Sequence, residues 1–284
     1  MPGCWPRRHD SPHCRLSAWP ETRIVELTMR TRTKWLLVLT PVLLLGLAHA
    51  DRDSDSIANW RQASRASVGL APDPALTREP VVQVYAARAV RWRGYFGVHT
   101  WIATKPAQAA AFTVHEVTGF AVRRGGSAVR VSQRPPDGRW FGSVPFLLAD
   151  VRGRGVDALI AKIERAVAAY PYHDSYRIWP GPNSNTFTAF VLRRVPELRA
   201  DLPGHAIGKD YLGPRLIARS PSGTGVQANL LGVLGVLGGV EEGVELNVLG
   251  LTFGIDPDDL GVKLPFVGRI GLGARSARAV AFAP

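Results

Sequence analysis

The chain has 284 residues, of which 46% are hydrophobic and 20% charged, with a formal net charge of +12; that is enough apolar material for a packed core and excludes a solvated, disordered polymer. Beyond residue 50 the basic residues are scattered and mostly Arg, with no block longer than Arg123-Arg124 or Arg193-Arg194, which argues against nucleic acid as a partner and leaves a weak, salt-sensitive attraction to anionic lipid or acidic envelope polymer. Both cysteines, Cys4 and Cys14, precede residue 29, so the rest of the chain offers no disulfide, no thiolate nucleophile and no cysteine-containing metal site.

In chain order, residues 1–28 lie upstream of a start that already makes sense, and they read as a wrongly extended gene start. Residues 29–50 carry the three parts of an export signal: basic Met29 to Lys34, an apolar run from Trp35 to Leu47, and the small residues Ala48 and Ala50 at the positions a signal peptidase reads. The apolar run is shorter than the ~20 residues that span a bilayer comfortably. Cleavage is therefore expected over permanent anchoring, and the protein is expected to be exported, either periplasmic or attached to the inner membrane. The first 50 residues hold seven basic and three acidic side chains, so the 234 that follow still carry +8. Residues 51–80 are polar and then Pro-rich, and read as a linker.

Residues 81–215 read as an α+β core domain. Val81–Tyr85 and Tyr95–Ala103 have the aromatic and β-branched content of strands, with a basic turn at Arg91 to Gly94 between them. Val114–Val122 and Ala128–Gln133 are two further candidates, separated by the Gly125-Gly126 turn. Four strands with short links predict an antiparallel sheet. The period then changes: Val156, Leu159, Ile160, Ile163, Val167 and Tyr170 recur at helical spacing, and Pro171 ends the run. A short strand-like Tyr176–Trp179 leads into the stiff loop Gly181-Pro-Asn-Ser-Asn-Thr-Phe187. That loop delivers Asn183 and Ser184 to a helix N-terminus, where either can cap free amides, and Pro196 closes the helix. Residues 216–284 form a Gly-rich, apolar C-terminal segment. Its stretch Val226–Ile255 is interrupted by Glu241, Glu242 and Glu245, and fits either a packed helical pair or a re-entrant or membrane-surface segment.

Four histidines lie beyond residue 50: His99, His115, His173 and His205. With no cysteine partners and no His-Glu-x-x-His spacing, they predict no metal site, and no cofactor is indicated. His99 sits mid-strand on a face with Gly97, Trp101 and Ala103, where an imidazole must be either paired or functional. Ser184 opens a helix whose N-terminus stabilises nearby negative charge, but a serine hydroxyl needs a base, and His99 is the candidate. His115 or Glu116 on the next strand can orient that base. They point to opposite faces, so at most one can reach it. Trp101, Trp179, Asn183 and Asn185 are the candidate binding residues.

His-Thr-Trp-Ile at 99–102, Trp-Pro-Gly-Pro-Asn-Ser-Asn-Thr-Phe at 179–187, Ala-Ile-Gly-Lys-Asp-Tyr at 206–211, Pro-Ser-Gly-Thr-Gly at 221–225 and Leu-Asn-Val-Leu-Gly-Leu at 246–251 resemble a bacterial envelope family known only as a domain of unknown function. More distantly, His99 followed by Asn183-Ser184-Asn185-Thr186-Phe187 is similar to the order in circularly permuted papain-like hydrolases and acyltransferases, which use an Asn-Cys-x-x-Phe-like motif. That resemblance implies a permuted papain-like core in which Ser184 stands at the cysteine position. Three functions fit these residues: an acyl-transferring or amide-hydrolysing serine enzyme acting on cell-wall peptide or lipid, a non-catalytic envelope binding protein, and a structural protein with a membrane or oligomer contact. In the first, backbone amides near Ser184 and Asn185 would serve as oxyanion donors. The sequence sets no oligomeric state.

Overall fold

A computed structural model of the chain describes Thr40, residues 62–257 and 260–271, and the backbone of 279–281. The apolar run 35–47, apart from Thr40, and residues 1–28 lie outside the described residues. The chain divides into two units, residues 1–43 and 44–284; the second holds everything below. It is α+β and rich in sheet.

The first sheet is built from β1 (Val81–Arg88), β2 (Val98–Lys105), β3 (Thr113–Val117), β4 (Val129–Gln133) and β5 (Phe146–Arg152). Strands β1 to β4 are antiparallel neighbours in chain order, and β5 returns to pair with the free side of β1. The expected strand from Tyr95 begins later, because Arg91–Tyr95 is a 3-10 turn. The expected strand 114–122 stops at Val117, after which Gly119–Val122 forms a short helix, α1.

One face of this sheet, with Val82, Val84, Val98 and Ile102, buries the apolar stripes of α2 (Val156–Ala168) and α3 (Ser184–Arg194). Leu159, Ile160 and Ile163 of α2 lie at the spacing of one helix face, so burying them removes a continuous stripe from water. The opposite face carries a second core of Tyr85, Trp101, Val114, Trp140 and Phe141. Part of the segment read as a linker lies against it. Ala63 and Ala71 pack there, the Arg65 guanidinium sits 4.1 Å from the Phe141 ring centre, and the Leu70 amide donates to the Asp137 carboxylate at 2.7 Å.

The stretch 226–255 is not a helical pair. It lies within a seven-stranded antiparallel meander of β6 (Ile217–Arg219), β7 (Gly225–Leu230), β8 (Leu234–Gly239), β9 (Gly243–Val248), β10 (Leu251–Asp256), β11 (Gly261–Leu264) and β12 (Gly268–Ile270). A last strand, β13 (Ala279–Ala281), pairs in parallel with β5 at the edge of the first sheet. Among the described residues no helix is long and apolar enough to cross a membrane.

Of the acids that interrupt this stretch, Glu245 fastens the meander to the core domain through Lys209, and Glu242 braces the loop between β6 and β7. The Glu245 carboxylate receives Lys209 Nζ at 2.6 Å and Lys263 Nζ at 2.9 Å, with all three groups buried. Asp210 accepts from Gln227, Asn247 and Thr252, and Glu242 accepts from the amide and hydroxyl of Ser222. Each buried charge has partners on several sides, the condition under which burying it is tolerable.

Candidate active site

Strand alternation decides which groups meet. On β2, Thr100 points to the helix face, where its hydroxyl lies 2.9 Å from the Thr188 hydroxyl and 3.0 Å from Asn185 Oδ1. His99 therefore points the other way, and on β3 it is Glu116 that shares its face. His99 Nε2 and Glu116 Oε2 are 3.0 Å apart, and Arg134 approaches the same oxygen at 3.4 Å. The imidazole lies flat on the Trp140 indole, with 3.6 Å between ring centres and 7° between planes. His115 faces the helices instead. Its Nε2 is 3.0 Å from the Thr104 hydroxyl, so it takes no part in the site.

Burial is the main influence on His99 and lowers its pKa, only partly opposed by the hydrogen bond and charge of Glu116. Burial works against the charge on Glu116, but the hydrogen bond from His99 and the positive charge of Arg134 and Arg130 hold its carboxyl below the usual range. The pair is thus a neutral imidazole beside a carboxylate. Nε2 carries the proton and donates it to Glu116, which leaves the Nδ1 lone pair free to accept a proton.

Ser184 is the first residue of α3 and Asn183 is its cap. The Asn183 side chain accepts from the amides of Asn185 and Thr186, and Thr186 reciprocates by accepting from the Asn183 amide at 3.1 Å. The Asn183 Nδ2 group also donates to the carbonyls of Ile178 and Ile207. Gly208 makes that approach possible: a Cβ there would fall 2.4 Å from Nδ2. Of the two amides expected to serve as oxyanion donors, that of Asn185 is taken up by the cap, leaving that of Ser184. The Asn185 side chain bridges the carbonyls of Val98 and Ile207, tying the helix start to β2.

His99, Asn183, Ser184 and Asn185 line one cavity of about 670 Å3. Its walls are chiefly apolar, with Val90, Phe96, Phe120, Ile178 and Ile207 among them; Arg91, Arg93 and Arg123 also line it, and among the described residues no carboxylate does. Trp179 stands at the edge, half exposed, its indole donating to the Leu249 carbonyl at 2.8 Å. The segment Tyr176–Trp179 is not a strand but an irregular bend. Trp101, a candidate binding residue, is fully buried in the second core and donates to the Pro136 carbonyl; it shares the face of His99 but lies two residues further along β2 and does not line the cavity.

Three contributors were not singled out from the sequence. Trp140 and Arg134 lie outside regular elements, where no periodicity marks them. Tyr176 lies within the segment read as strand-like. Burial pushes its phenol up, and the positive charge of Arg93 and then a side-chain hydrogen bond with Ser184 partly offset that effect. Among the described residues no group of three His, Cys, Asp or Glu side chains could hold a metal ion.

An α+β domain with a capped helix start and a carboxylate-oriented histidine on one cavity is the class that fold and site define. Residues 79–211 match the family model described as "Protein of unknown function (DUF3750)", a domain of unknown function. The chain matches no curated protein and no solved structure.

Proposed function

We propose that the protein is an exported serine hydrolase or acyltransferase of the cell envelope, with a permuted papain-like core, acting on the acyl group of an amphiphilic envelope substrate. The observation that carries the reading is the shared cavity. Ser184, at a helix N-terminus, and His99, its Nε2 held by ionised Glu116, line the same walls. In this mechanism the Ser184 hydroxyl attacks the acyl carbonyl and its proton passes to Nδ1 of His99. Glu116 stabilises the imidazolium so formed, and the Ser184 amide donates to the developing oxyanion. The imidazolium then protonates the leaving group, and water or an acceptor alcohol releases the acyl group from Ser184. The apolar walls suit an acyl chain and the three arginines an anionic headgroup, which favours lipid over cell-wall peptide.

A fluorophosphonate probe, which labels only activated serines, tests this. Ser184 is expected to be labelled, His99→Ala to slow labelling at least about a hundredfold, and Ser184→Ala to abolish it. An unlabelled protein, or labelling indifferent to His99, would remove the catalytic reading. One observation favours a non-catalytic binding pocket instead: Ser184 is only 3% exposed and its side chain is engaged by Tyr176. Ser184→Cys separates the two, because a cysteine that alkylates no faster than one on the open surface would leave binding alone. Export predicts that protein isolated from its native host begins at Asp51. An N-terminus at Met1 in the cytosol would overturn it.

A further inference from the structure

The second sheet is inverted. Apart from Arg219 on the edge strand β6, its charged and amide side chains are turned inward, whereas the outward positions of its central strands carry no charge. The register aligns those outward residues in rows. Ala228, Val236, Leu246 and Phe253 are successive cross-strand partners along the middle. A parallel row on one side runs from Leu230 to Leu251, and one on the other side runs from Val226 to Ile270. The large side chains on this face are mostly between a third and two thirds exposed. Together they present on the order of 1,000 Å2 of apolar surface, where an ordinary monomer shows a few hundred and a stable interface buries about 800 Å2 per partner.

Two features choose the occupant. The sheet is open, ending in β6 and β12; laid in hydrocarbon, such edges would leave backbone groups without partners, and Phe253 is the only aromatic residue in the rows, so the face lacks the indoles and phenols that anchor a protein at a lipid surface. Regular rows of Val, Leu and Ile on a twisted sheet are instead what the inner face of a β-sandwich presents to its mate.

We infer that a second copy of this chain packs its own meander against this face, sheet on sheet, about a two-fold axis near Val236 and Leu246. The inference is independent of the chemistry proposed above. It is tested by sedimentation velocity on the full chain, which is expected to run as a dimer. Val236 and Leu246 are 57% and 46% exposed in the single chain, so aspartate at either position is compatible with the fold. Val236→Asp and Leu246→Asp, made separately, should each raise the dimer dissociation constant at least about a hundredfold by burying an unpaired charge. Thermal melting checks that both still fold. Should either unfold, the isosteric Val236→Thr is read in its place and should still weaken the dimer. A chain that stays monomeric at all concentrations overturns the inference, as does a dimer indifferent to these substitutions. A monomer that floats with phosphatidylglycerol vesicles, and loses them on Val236→Asp, overturns it in favour of a lipid surface.

Discussion

His99 and His115 show how one residue's parity on a strand assigns its role. Both are buried, but only His99 shares a face with Glu116, and His115 has a threonine as its hydrogen-bond partner. Burial lowers the His115 pKa from 6.5 to about 4, so between those values the unfolded chain binds a proton that the folded chain refuses. The stability this represents is whole above pH 6.5 and is lost as the pH falls toward 4, at about 1.4 kcal/mol per pH unit. His205, lowered to about 4 by burial and then by Arg88, adds a loss of the same sign. Melting curves should show the melting temperature falling through this window. His115→Gln should flatten that dependence, and an unchanged slope would mean that His115 titrates in the fold as it does in water.

The elements divide into those that sequence pattern exposes and those it hides. Strands β1 to β4 announce themselves by β-branched and aromatic runs, α2 by its period, and α3 by the cap that its loop residues build. His99, Ser184 and Asn183 stand out for the same reason, because strand parity and cap chemistry act over a few residues; parity leaves Glu116 level with His115, and only the register of β2 against β3 puts Glu116 beside His99. The meander was hidden because it reverses the usual pattern, with its charges inside. Leu230, Val233, Leu234 and Leu237 also fall by chance at helical spacing, though they belong to a hairpin. Its turns hold a second oddity. Leu249, between β9 and β10, has φ +55° and is 60% exposed, a left-handed conformation that a leucine adopts at a cost of roughly 1 kcal/mol. The bond from Trp179 goes to its backbone carbonyl, so Leu249→Asn should keep that contact and raise stability by up to about 1 kcal/mol in chemical denaturation. A loss instead would show that the leucine side chain is held by packing.

For the whole molecule, the segment that matches the family model and the folding unit have different ends. The matched segment stops at residue 211, yet Lys209, Asp210 and Arg193 find partners in Glu245, Asn247 and Gln227 beyond it. A chain ending at residue 211 would leave these charges buried or newly bared without their mates, and breaking a buried pair costs about 3–5 kcal/mol, a large share of the stability of a single domain. Such a chain is expected to show no cooperative melting transition, whereas one ending at residue 271 should keep it. A sharp transition in the shorter chain would make the meander an independent appendage.

The stacking of His99 on Trp140 has an optical consequence. An indole lying 3.6 Å from an imidazole transfers excited-state electron density readily to that ring once it is charged, and hardly at all while it is neutral. The fluorescence of Trp140 is therefore tied to the proton on His99, and the site carries its own spectroscopic meter of the charge on its base.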